Sequence, residues 1–274
     1  WLKCYEIPEG DKNFKGRAIQ NMLNIESDDS VNALLRLRGL NDEEFVKSHY
    51  VVFATKNGTV KKTCLEAYSR PRANGVNAIN ILEGDEVVDV RLTNGKNEII
   101  LANRNGRAVR FDEDAVRSMG RVSTGVRGMQ LDGDDDQVVG MIIVNNAETE
   151  TVMVVSENGY GKRSQVEEYR KTNRGGKGVK TFSITEKTGR LVAIKNVTDE
   201  NDLMIINKSG IAIRLAVSDC RVMGRATQGV RLINLTKKND VIASVCKVMS
   251  SELEAKLADD QNTPEEQDAT TEKE

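Results

Sequence analysis

The chain has 274 residues, 38% of them hydrophobic and 30% charged, a composition typical of a soluble protein with one large domain or two ordinary ones. It contains no run of about 18 apolar residues and no charged-then-apolar leader, so the sequence predicts a cytoplasmic protein without a membrane span. The formal charge of −2 is unevenly distributed, because residues 251–274 hold nine acidic and two basic residues and the rest holds 33 acidic and 38 basic.

Four segments share a pattern typical of a β-hairpin: an apolar run, a polar pair that ends in glycine, and a second alternating run. They are residues 50–63 (YVVFATKNGTVKKT), 98–111 (EIILANRNGRAVRF), 151–164 (TVMVVSENGYGKRS) and 202–215 (DLMIINKSGIAIRL), with glycines at Gly58, Gly106, Gly159 and Gly210. Three of the four turns read Asn-Gly, which favours a two-residue hairpin turn with positive φ at both positions. The sequence therefore predicts one hairpin repeated four times.

A second shared element follows each hairpin and contains its own glycine, at Gly75, Gly125, Gly178 and Gly229. A fifth copy begins at Lys15 without a complete hairpin before it. Strand-rich repeats of about 50 residues predict a propeller-like ring of small antiparallel sheets. Because the chain starts with Trp1 and an incomplete repeat, we expect a fragment whose first blade is truncated and has an unpaired edge.

Basic residues recur in register with this repeat. Eight positions before the second glycine stand Arg117, Arg170 and Arg221; four before it stand Arg121, Arg174 and Arg225; two after it stand Arg127, Lys180 and Arg231. Four positions after the hairpin glycine stand Lys62, Arg110, Arg163 and Arg214, and the first repeat adds Arg70 and Arg72. Radial repetition brings equivalent positions to one rim of the ring. The pattern therefore predicts a stripe of cations that neutralises the phosphates of a DNA duplex bent around that rim.

The most basic and glycine-rich stretch is residues 168–182, EYRKTNRGGKGVKTF, which adds Lys171, Gly175, Gly176, Lys177 and Gly178 to the predicted DNA-binding set. Its glycines are expected to let the backbone approach phosphates and present N–H groups to them. A phosphate cradle of an enzyme is disfavoured, because no segment matches GxxxxGK[ST]. Aromatic residues make up only 4% and do not interleave with the cations, so we expect duplex binding through charge and DNA deformability.

The remaining motifs predict ordinary structure. The four cysteines are far apart and His49 is the only histidine, so the sequence predicts reduced thiols and no metal site. Residues 132–136, DGDDD, lack the spacing of a calcium loop and are expected to form a solvated turn. The acidic residues 250–274 predict a disordered tail, which either only solubilises the chain or competes with DNA for the basic rim. Any single arginine of the stripe can also be an ordinary solvated side chain.

Five segments carry a resemblance to a known family. They are residues 1–10 (WLKCYEIPEG), 51–63 (VVFATKNGTVKKT), 105–129 (NGRAVRFDEDAVRSMGRVSTGVRGM), 157–169 (ENGYGKRSQVEEY) and 224–235 (GRATQGVRLINL). Over residues 1–249 the chain resembles the C-terminal domain of the DNA gyrase A subunit. The resemblance implies a six-bladed β-pinwheel of four-stranded antiparallel blades, which wraps duplex DNA without sequence specificity in the service of ATP-dependent negative supercoiling. Residues 250–274 then form the acidic tail.

The resemblance also implies partners: double-stranded DNA, the rest of the gyrase A subunit, and the gyrase B subunit in an A2B2 holoenzyme at the nucleoid. ATP and Mg²⁺ act elsewhere in that holoenzyme, so no catalytic residue, metal or cofactor is expected in this chain. The family's glycine-rich box, Gln-Arg-Arg-Gly-Gly-Lys-Gly, is expected before Trp1. Residues 172–178 (TNRGGKG) are similar to a secondary copy, in which Thr172 and Asn173 depart from the pattern.

Two alternatives remain open at this point. One is the equivalent domain of the topoisomerase IV A-type subunit, which usually has fewer blades. The other is a propeller that serves as a protein-interaction scaffold, for which no salt-sensitive binding of duplex DNA is expected.

Overall fold

The computed structural model describes residues 1–10, 16–23, 25–26, 29–37, 39–72, 74–235 and 240–250. Their strands are β1 (Tyr50–Thr55), β2 (Thr59–Cys64), β3 (Val87–Thr93), β4 (Glu98–Asn103), β5 (Arg107–Asp112), β6 (Val126–Arg127), β7 (Val138–Val144), β8 (Thr151–Ser156), β9 (Tyr160–Gln165), β10 (Val179–Lys180), β11 (Leu191–Val197), β12 (Asn201–Asn207), β13 (Ala212–Ala216), β14 (Val230–Arg231) and β15 (Ile242–Met249). The acidic segment 251–274, which the sequence predicts to be a disordered tail, lies outside the described residues.

The strands form four antiparallel sheets, with the orders β3-β1-β2-β6, β10-β5-β4-β7, β11-β8-β9-β14 and β13-β12-β15. Three long strands of one repeat build each sheet. In the first three sheets, the fourth strand is a two-residue segment that the following repeat supplies. Strands β3, β7, β11 and β15 contact one another from sheet to sheet, so they surround the axis and the short strands lie at the outer edge. The described residues therefore form an all-β, propeller-like ring of four blades.

Apolar side chains fill the space between adjacent blades. Between the first two blades, Val52 and Val60 pack together with Ile99, Leu101 and Val109. Equivalent clusters lie between the second and third blades and between the third and fourth. Burying one Val, Leu or Ile side chain stabilises a fold by about 1.5–3 kcal/mol. Packing between blades therefore holds the ring together.

The hairpin turns differ from the predicted two-residue Asn-Gly turn. The N–H of Gly58 donates to the carbonyl of Thr55 at 3.0 Å, which closes a four-residue turn with Asn57 third and Gly58 fourth. Gly58 has a φ of +85°, a left-handed conformation that glycine adopts without steric cost. The same hydrogen bond recurs at Gly106, Gly159 and Gly210. The prediction of four hairpins is confirmed, but the prediction of a two-residue turn is wrong.

The segment before the first hairpin contains an element that the sequence pattern did not indicate. The short helix α1 (Glu43–Ser48) begins after Asp42, whose carboxylate accepts hydrogen bonds from the N–H groups of Glu44 and Phe45. The fifth copy of the repeat was expected to supply strands, but its described residues form only a 3-10 turn at Ile19–Asn21. Among the described residues, no helix is long and apolar enough to traverse a lipid bilayer.

Candidate nucleic-acid interface

Three basic loops lie on the outer edges of successive blades. We define them as residues 116–127, 169–180 and 220–231; each runs from a 3-10 turn to the end of a short strand. Each loop first docks on the preceding blade through one backbone hydrogen bond, such as that from the N–H of Met119 to the carbonyl of Lys62 at 2.8 Å. Its short strand then pairs with the same outer strand. These two attachments fix the loop on the edge that faces away from the ring axis.

Arginines at one equivalent position of the three basic loops are exposed. Their side chains make no hydrogen bond or ion pair with any residue that the structure describes; they are Arg117, Arg170 and Arg221. Arg127 and Lys180, which end the first two loops, are exposed in the same way. In the first repeat Arg70 and Arg72 are exposed, whereas Arg121, in the first basic loop, is half-buried. The outer edge therefore carries recurrent cations that have no partner among the described residues.

The cations four positions after the hairpin glycine lie elsewhere. Lys62, Arg110 and Arg163 are only 5%, 7% and 8% exposed, which corrects the expectation that they belong to a rim stripe. The ammonium of Lys62 donates to the carbonyl of Glu113 at 3.2 Å and lies 3.6 Å from the carboxylate of that residue. Glu113 starts the 3-10 turn of the following repeat. The side chain of Lys62 thus joins one blade to the next.

Arg110 and Arg163 make the same kind of link. Arg110 donates to the carbonyls of Val166 and Tyr169 at 2.8 and 3.0 Å and pairs with the carboxylate of Glu98. Arg163 donates to the carbonyl of Cys220 and pairs with Asp199. In the last blade, Arg214 is exposed and contacts its own sheet, donating to the carboxylate of Asp202 and to the carbonyl of Met249, both at 2.7 Å. We therefore leave the three buried cations Lys62, Arg110 and Arg163 out of the candidate interface, and the predicted role of Arg214 stays a prediction.

The glycines of the second basic loop approach protein backbone. The N–H of Gly175 donates to the carbonyl of Gly128 at 2.7 Å, and the carbonyl of Gly176 accepts from the N–H of Gln130 at 3.0 Å. A Cβ atom at Gly178 would collide with the carbonyl of Ala108. The contact of Gly175 corrects the expectation that its N–H group faces a phosphate, whereas for Gly176 and Gly178 that expectation stays a prediction. Gly175 has already used its donor, and Gly178 lets the loop lie close to the preceding blade.

Some cations of the basic loops already form ion pairs with carboxylates. Lys177 pairs with the carboxylate of Asp132 at 2.8 Å, and the guanidinium of Arg107 lies 3.3 Å from it. The hydrogen bond from Lys177 lowers the pKa of Asp132 from its usual value. Lys171 pairs with Glu98 and Asp112 at 2.6 and 2.9 Å. Lys171 and Lys177 are therefore exposed but already partnered.

The acidic turn 132–136 is only partly solvated, in contrast to its prediction. Residues 133–135 are exposed. Asp136, however, is 5% exposed, and its carboxylate accepts from the side-chain amide of Asn103 at 2.6 Å and from the N–H of Asp132 at 3.0 Å. Asp136 thus fixes the turn that holds Asp132 beside Lys177.

The remaining predicted arginines contact protein groups. Arg231 donates to the hydroxyl of Tyr160 at 2.9 Å and lies over its ring. Arg174 and Arg225 are half-buried and donate to backbone carbonyls of the preceding basic loop. Of the predicted cations, the structure thus brings one subset to the outer edge without partners and places another in contacts between repeats.

Two buried lysines below the basic loops escaped the sequence analysis. Lys162 is 1% exposed, and its ammonium donates to the carbonyl of Gly224 at 2.8 Å and to the hydroxyl of Ser164 at 2.9 Å. Lys61 is fully buried and donates to the carbonyls of Ala78 and Arg121. Burial lowers the pKa of each lysine to about 8. The available signal was their position, three residues after the hairpin glycine and inside a buried strand.

Comparison with known proteins connects this geometry to a family. The family model described as "DNA gyrase C-terminal domain, beta-propeller" matches residues 49–94, 97–145, 150–198 and 201–246. Each match covers the three long strands of one blade, except that the fourth ends within β15. The chain belongs to this family. The resemblance to the gyrase A-subunit domain that the motifs indicated is thereby confirmed.

The curated relatives are longer than this chain. It is 41% identical over 270 residues to the DNA gyrase A subunit of Staphylococcus aureus (strain NCTC 8325 / PS 47), covering 98% of the chain and 29% of that protein. It is 43% identical over 247 residues to the DNA gyrase A subunit of Staphylococcus epidermidis, covering 90% of the chain and 27% of that protein. The chain thus spans less than a third of the length of these gyrase proteins.

Two solved structures share the fold. The C-terminal domain of DNA topoisomerase IV matches with a TM-score of 0.77 and 28% identity, over 90% of this chain and 76% of that one. The DNA gyrase A C-terminal domain matches with a TM-score of 0.75 and 23% identity, over 86% of this chain and 76% of that one. The second likeness bears on the fold alone.

Proposed function

We propose that this chain binds duplex DNA without sequence preference and wraps it along the outer edge of the ring. The observation that carries the proposal is the recurrence of an exposed, unpartnered arginine at one position of three successive basic loops, Arg117, Arg170 and Arg221. Cations that neutralise phosphates release condensed counterions, which favours binding without any base contact. A curved series of such cations favours a bent duplex over a straight one.

Arg127 and Lys180 extend this surface. Each ends a short strand that pairs with the preceding blade, so its backbone is fixed by a β-ladder. Arg70 and Arg72 continue the series in the first repeat. Lys171 and Lys177 join it only when a phosphate displaces their carboxylate partners. The candidate interface thus consists of cations without partners among the described residues, together with ion-paired lysines that become available when a phosphate replaces their carboxylates.

In the whole protein, we propose that wrapping serves the ATP-dependent negative supercoiling of a type IIA topoisomerase, DNA gyrase. The support is the identity of 41% to a DNA gyrase A subunit. The partners are then double-stranded DNA, the remainder of the A subunit, and the B subunit, in an A2B2 holoenzyme in the cytoplasm at the nucleoid. ATP and Mg²⁺ act on other parts of that assembly, and this chain contributes no catalytic residue, metal or cofactor.

The six-bladed count, with a truncated blade that contains residues 15–37 and precedes the four described blades, is also a proposal for the whole protein. Its support is the exchange of strands between repeats. The outer strand of the fourth blade, β13, pairs on one side only within the described residues, whereas the first three blades each receive a short strand. A further repeat that supplies a strand of this kind would complete the fourth sheet.

The TM-score of 0.77 to the topoisomerase IV domain favours a second candidate, the equivalent domain of that enzyme. Both candidates bind duplex DNA through the same edge. They differ in the whole enzyme, because only gyrase is expected to introduce negative supercoils into relaxed DNA. A supercoiling assay of the holoenzyme distinguishes them.

Salt titrations of the full chain with unrelated duplexes of equal length test the central proposal. We expect equal affinities for all duplexes and a logarithmic salt slope of about −0.9 for each neutralised phosphate. Replacement of Arg117, Arg170 and Arg221 by alanine should flatten that slope. The matched control replaces three exposed lysines outside the basic loops, Lys47, Lys96 and Lys247, and should leave the slope unchanged. A flat salt response of the unsubstituted chain, as a protein-interaction scaffold would give, refutes DNA wrapping.

A further inference from the structure

Arg174 spans the two ends of the basic loop that precedes its own. Its Nε donates to the carbonyl of Ala115 at 2.8 Å, and its Nη1 donates to the carbonyl of Arg127 at 3.0 Å. Ala115 ends the 3-10 turn from which the first basic loop departs, and Arg127 is the last residue of that loop. One guanidinium therefore joins the start of the loop to its end, an arrangement that we call a bracket.

Arg225 makes an equivalent bracket one repeat later. Its Nη1 donates to the carbonyl of Lys180 at 2.7 Å, and its backbone N–H donates to the carboxylate of Glu168 at 2.7 Å. Lys180 ends the second basic loop, and Glu168 is the last residue of the turn before it. The two brackets join the same positions of consecutive repeats, although they use different donors at the start of the loop. Because the contact recurs at equivalent positions, it is a property of the repeat and not of one loop.

The bracket acts on a segment outside regular structure, which Lys61 and Asn80 also hold by hydrogen bonds to the carbonyls of Arg121 and Ser123. Between its docking hydrogen bond and its short strand, the first basic loop has no regular structure over residues 120–125. Joining the ends of such a loop restricts the conformations that its interior can sample. The cations that the brackets hold in place are Arg117, Arg121 and Arg127 in the first loop and Arg170 and Lys180 in the second.

We propose that Arg174 and Arg225 are positioning residues, which hold the preceding basic loop so that its cations meet DNA at a fixed spacing. They thereby set the path of the duplex from one blade to the next. The inference rests on the proposed DNA wrapping. It assigns to these two arginines a role other than the direct phosphate contact that their periodicity predicts.

Substitution by lysine separates positioning from charge. Arg174 satisfies its two acceptors with two different nitrogens of a planar guanidinium, whereas the ammonium of a lysine is a single donor centre on a flexible stem. The double variant R174K/R225K therefore keeps both positive charges. It loses the two-nitrogen bracket of Arg174 and the guanidinium contact of Arg225, whereas the backbone N–H of residue 225 still reaches Glu168. The matched control is R17K/R36K, which changes two exposed arginines outside the basic loops that make no side-chain contact within the described chain.

The experiment compares the full chain with both double variants in three measurements. The first is amide hydrogen exchange without DNA, the second is the salt slope of duplex binding, and the third is the linking-number change trapped when relaxed plasmid is nicked and resealed in the presence of the protein. For R174K/R225K we expect about tenfold faster exchange within residues 117–127 and a smaller increase within residues 170–180, where the backbone contact of residue 225 remains. We also expect about half the linking-number change and an unaltered salt slope. The control should match the unsubstituted chain in all three.

Unchanged exchange in both loops of R174K/R225K overturns the proposal, and so does an unchanged linking-number change. Faster exchange that extends to the core strands β4 and β8 also overturns it, because it indicates a general loss of stability. If the unsubstituted chain neither binds duplex DNA with a salt slope nor traps linking number, the proposed function fails. The exchange measurement still decides whether the brackets order the loops.

Discussion

The ammonium of Lys177 lies 2.8 Å from a carboxylate oxygen of Asp132, so the lysine of the glycine-rich segment is engaged before any ligand arrives. Arg107 lies 3.3 Å from the other oxygen of the same carboxylate. A phosphate at this position must compete with Asp132 for both cations. The acidic turn therefore acts as an internal competitor at the outer edge of the second blade.

Substitution of Asp132 by asparagine should tighten duplex binding. The change frees Lys177 and Arg107 without altering the shape of the side chain, and the loss of an exposed ion pair favours binding about two- to fivefold. Titrations at low and high salt measure the effect, which should shrink as salt rises. D134N is the charge-matched control, because Asp134 is exposed in the same turn. An equal gain in D134N would attribute the effect to net charge alone.

Replacement of Arg110 by methionine should destabilise the ring and leave DNA binding by the folded protein intact. The side chain is 7% exposed, and its removal leaves the carbonyls of Val166 and Tyr169 without its hydrogen bonds. The loss of such a buried charged group costs about 3 kcal/mol, which urea unfolding measures. R117M, at an exposed position, should change stability by less than about 0.5 kcal/mol. An R110M variant of unchanged stability but weaker affinity for DNA would indicate that Arg110 contacts DNA.

The buried ammonium of Lys162 should make stability rise with pH above about 8. Burial lowers its folded-state pKa to about 8, while the charge of Glu168 raises this pKa and that of Arg225 lowers it. Because the unfolded state keeps the proton up to about 10.5, it binds more protons than the folded state in this interval, and the free energy of unfolding increases with pH.

Urea unfolding of the full chain and of K162M between pH 7 and 9.5 isolates this contribution, since the other titrating groups are common to both. We expect a steeper rise for the unsubstituted chain. Tyr169, whose pKa burial raises to about 12, is present in both proteins, so its contribution cancels in the comparison. Parallel stability curves for the two proteins would mean that Lys162 titrates as it does in the unfolded chain.

Alanine should be tolerated at Gly176 but not at Gly178. Gly178 has a φ of +74°, and a Cβ atom there would collide with the carbonyl of Ala108. We expect G178A to lower the free energy of unfolding by about 1–3 kcal/mol. A Cβ atom at Gly176 would meet nothing closer than 3.9 Å, so G176A serves as the control. Similar stability of both variants, with DNA binding reduced in each, would favour the original interpretation of glycines that face phosphates.

The blades were predictable because hairpins have a local signature. The apolar runs on both sides of Gly58 and its equivalents indicated four hairpins, and β1 and β2 pair as that pattern requires. The sharing of strands was not predictable in this way. Val126 and Arg127 form a strand only because the edge of β2 is available to them, and that edge belongs to another repeat.

The sequence could not separate inward from outward cations by period alone. Lys62 and Arg117 both recur once per repeat, yet Lys62 joins two blades and Arg117 is exposed at the outer edge. A usable signal lay in the strand. Lys62 sits inside a buried hairpin strand, covered by the second blade on one face and by residues such as Leu37 and Val46 on the other, where a charged side chain has to find a partner.

The exchange of short strands bears on how such rings change during evolution. The three segments that complete a neighbouring sheet read Gly125-Val126-Arg127, Gly178-Val179-Lys180 and Gly229-Val230-Arg231, so each is chemically able to replace another. After unequal recombination that removes or adds one whole repeat, every blade still receives an equivalent short strand from its neighbour. Genes for this fold can therefore gain or lose blades in single events without redesigning a junction, whereas a breakpoint that leaves a partial period opens a sheet.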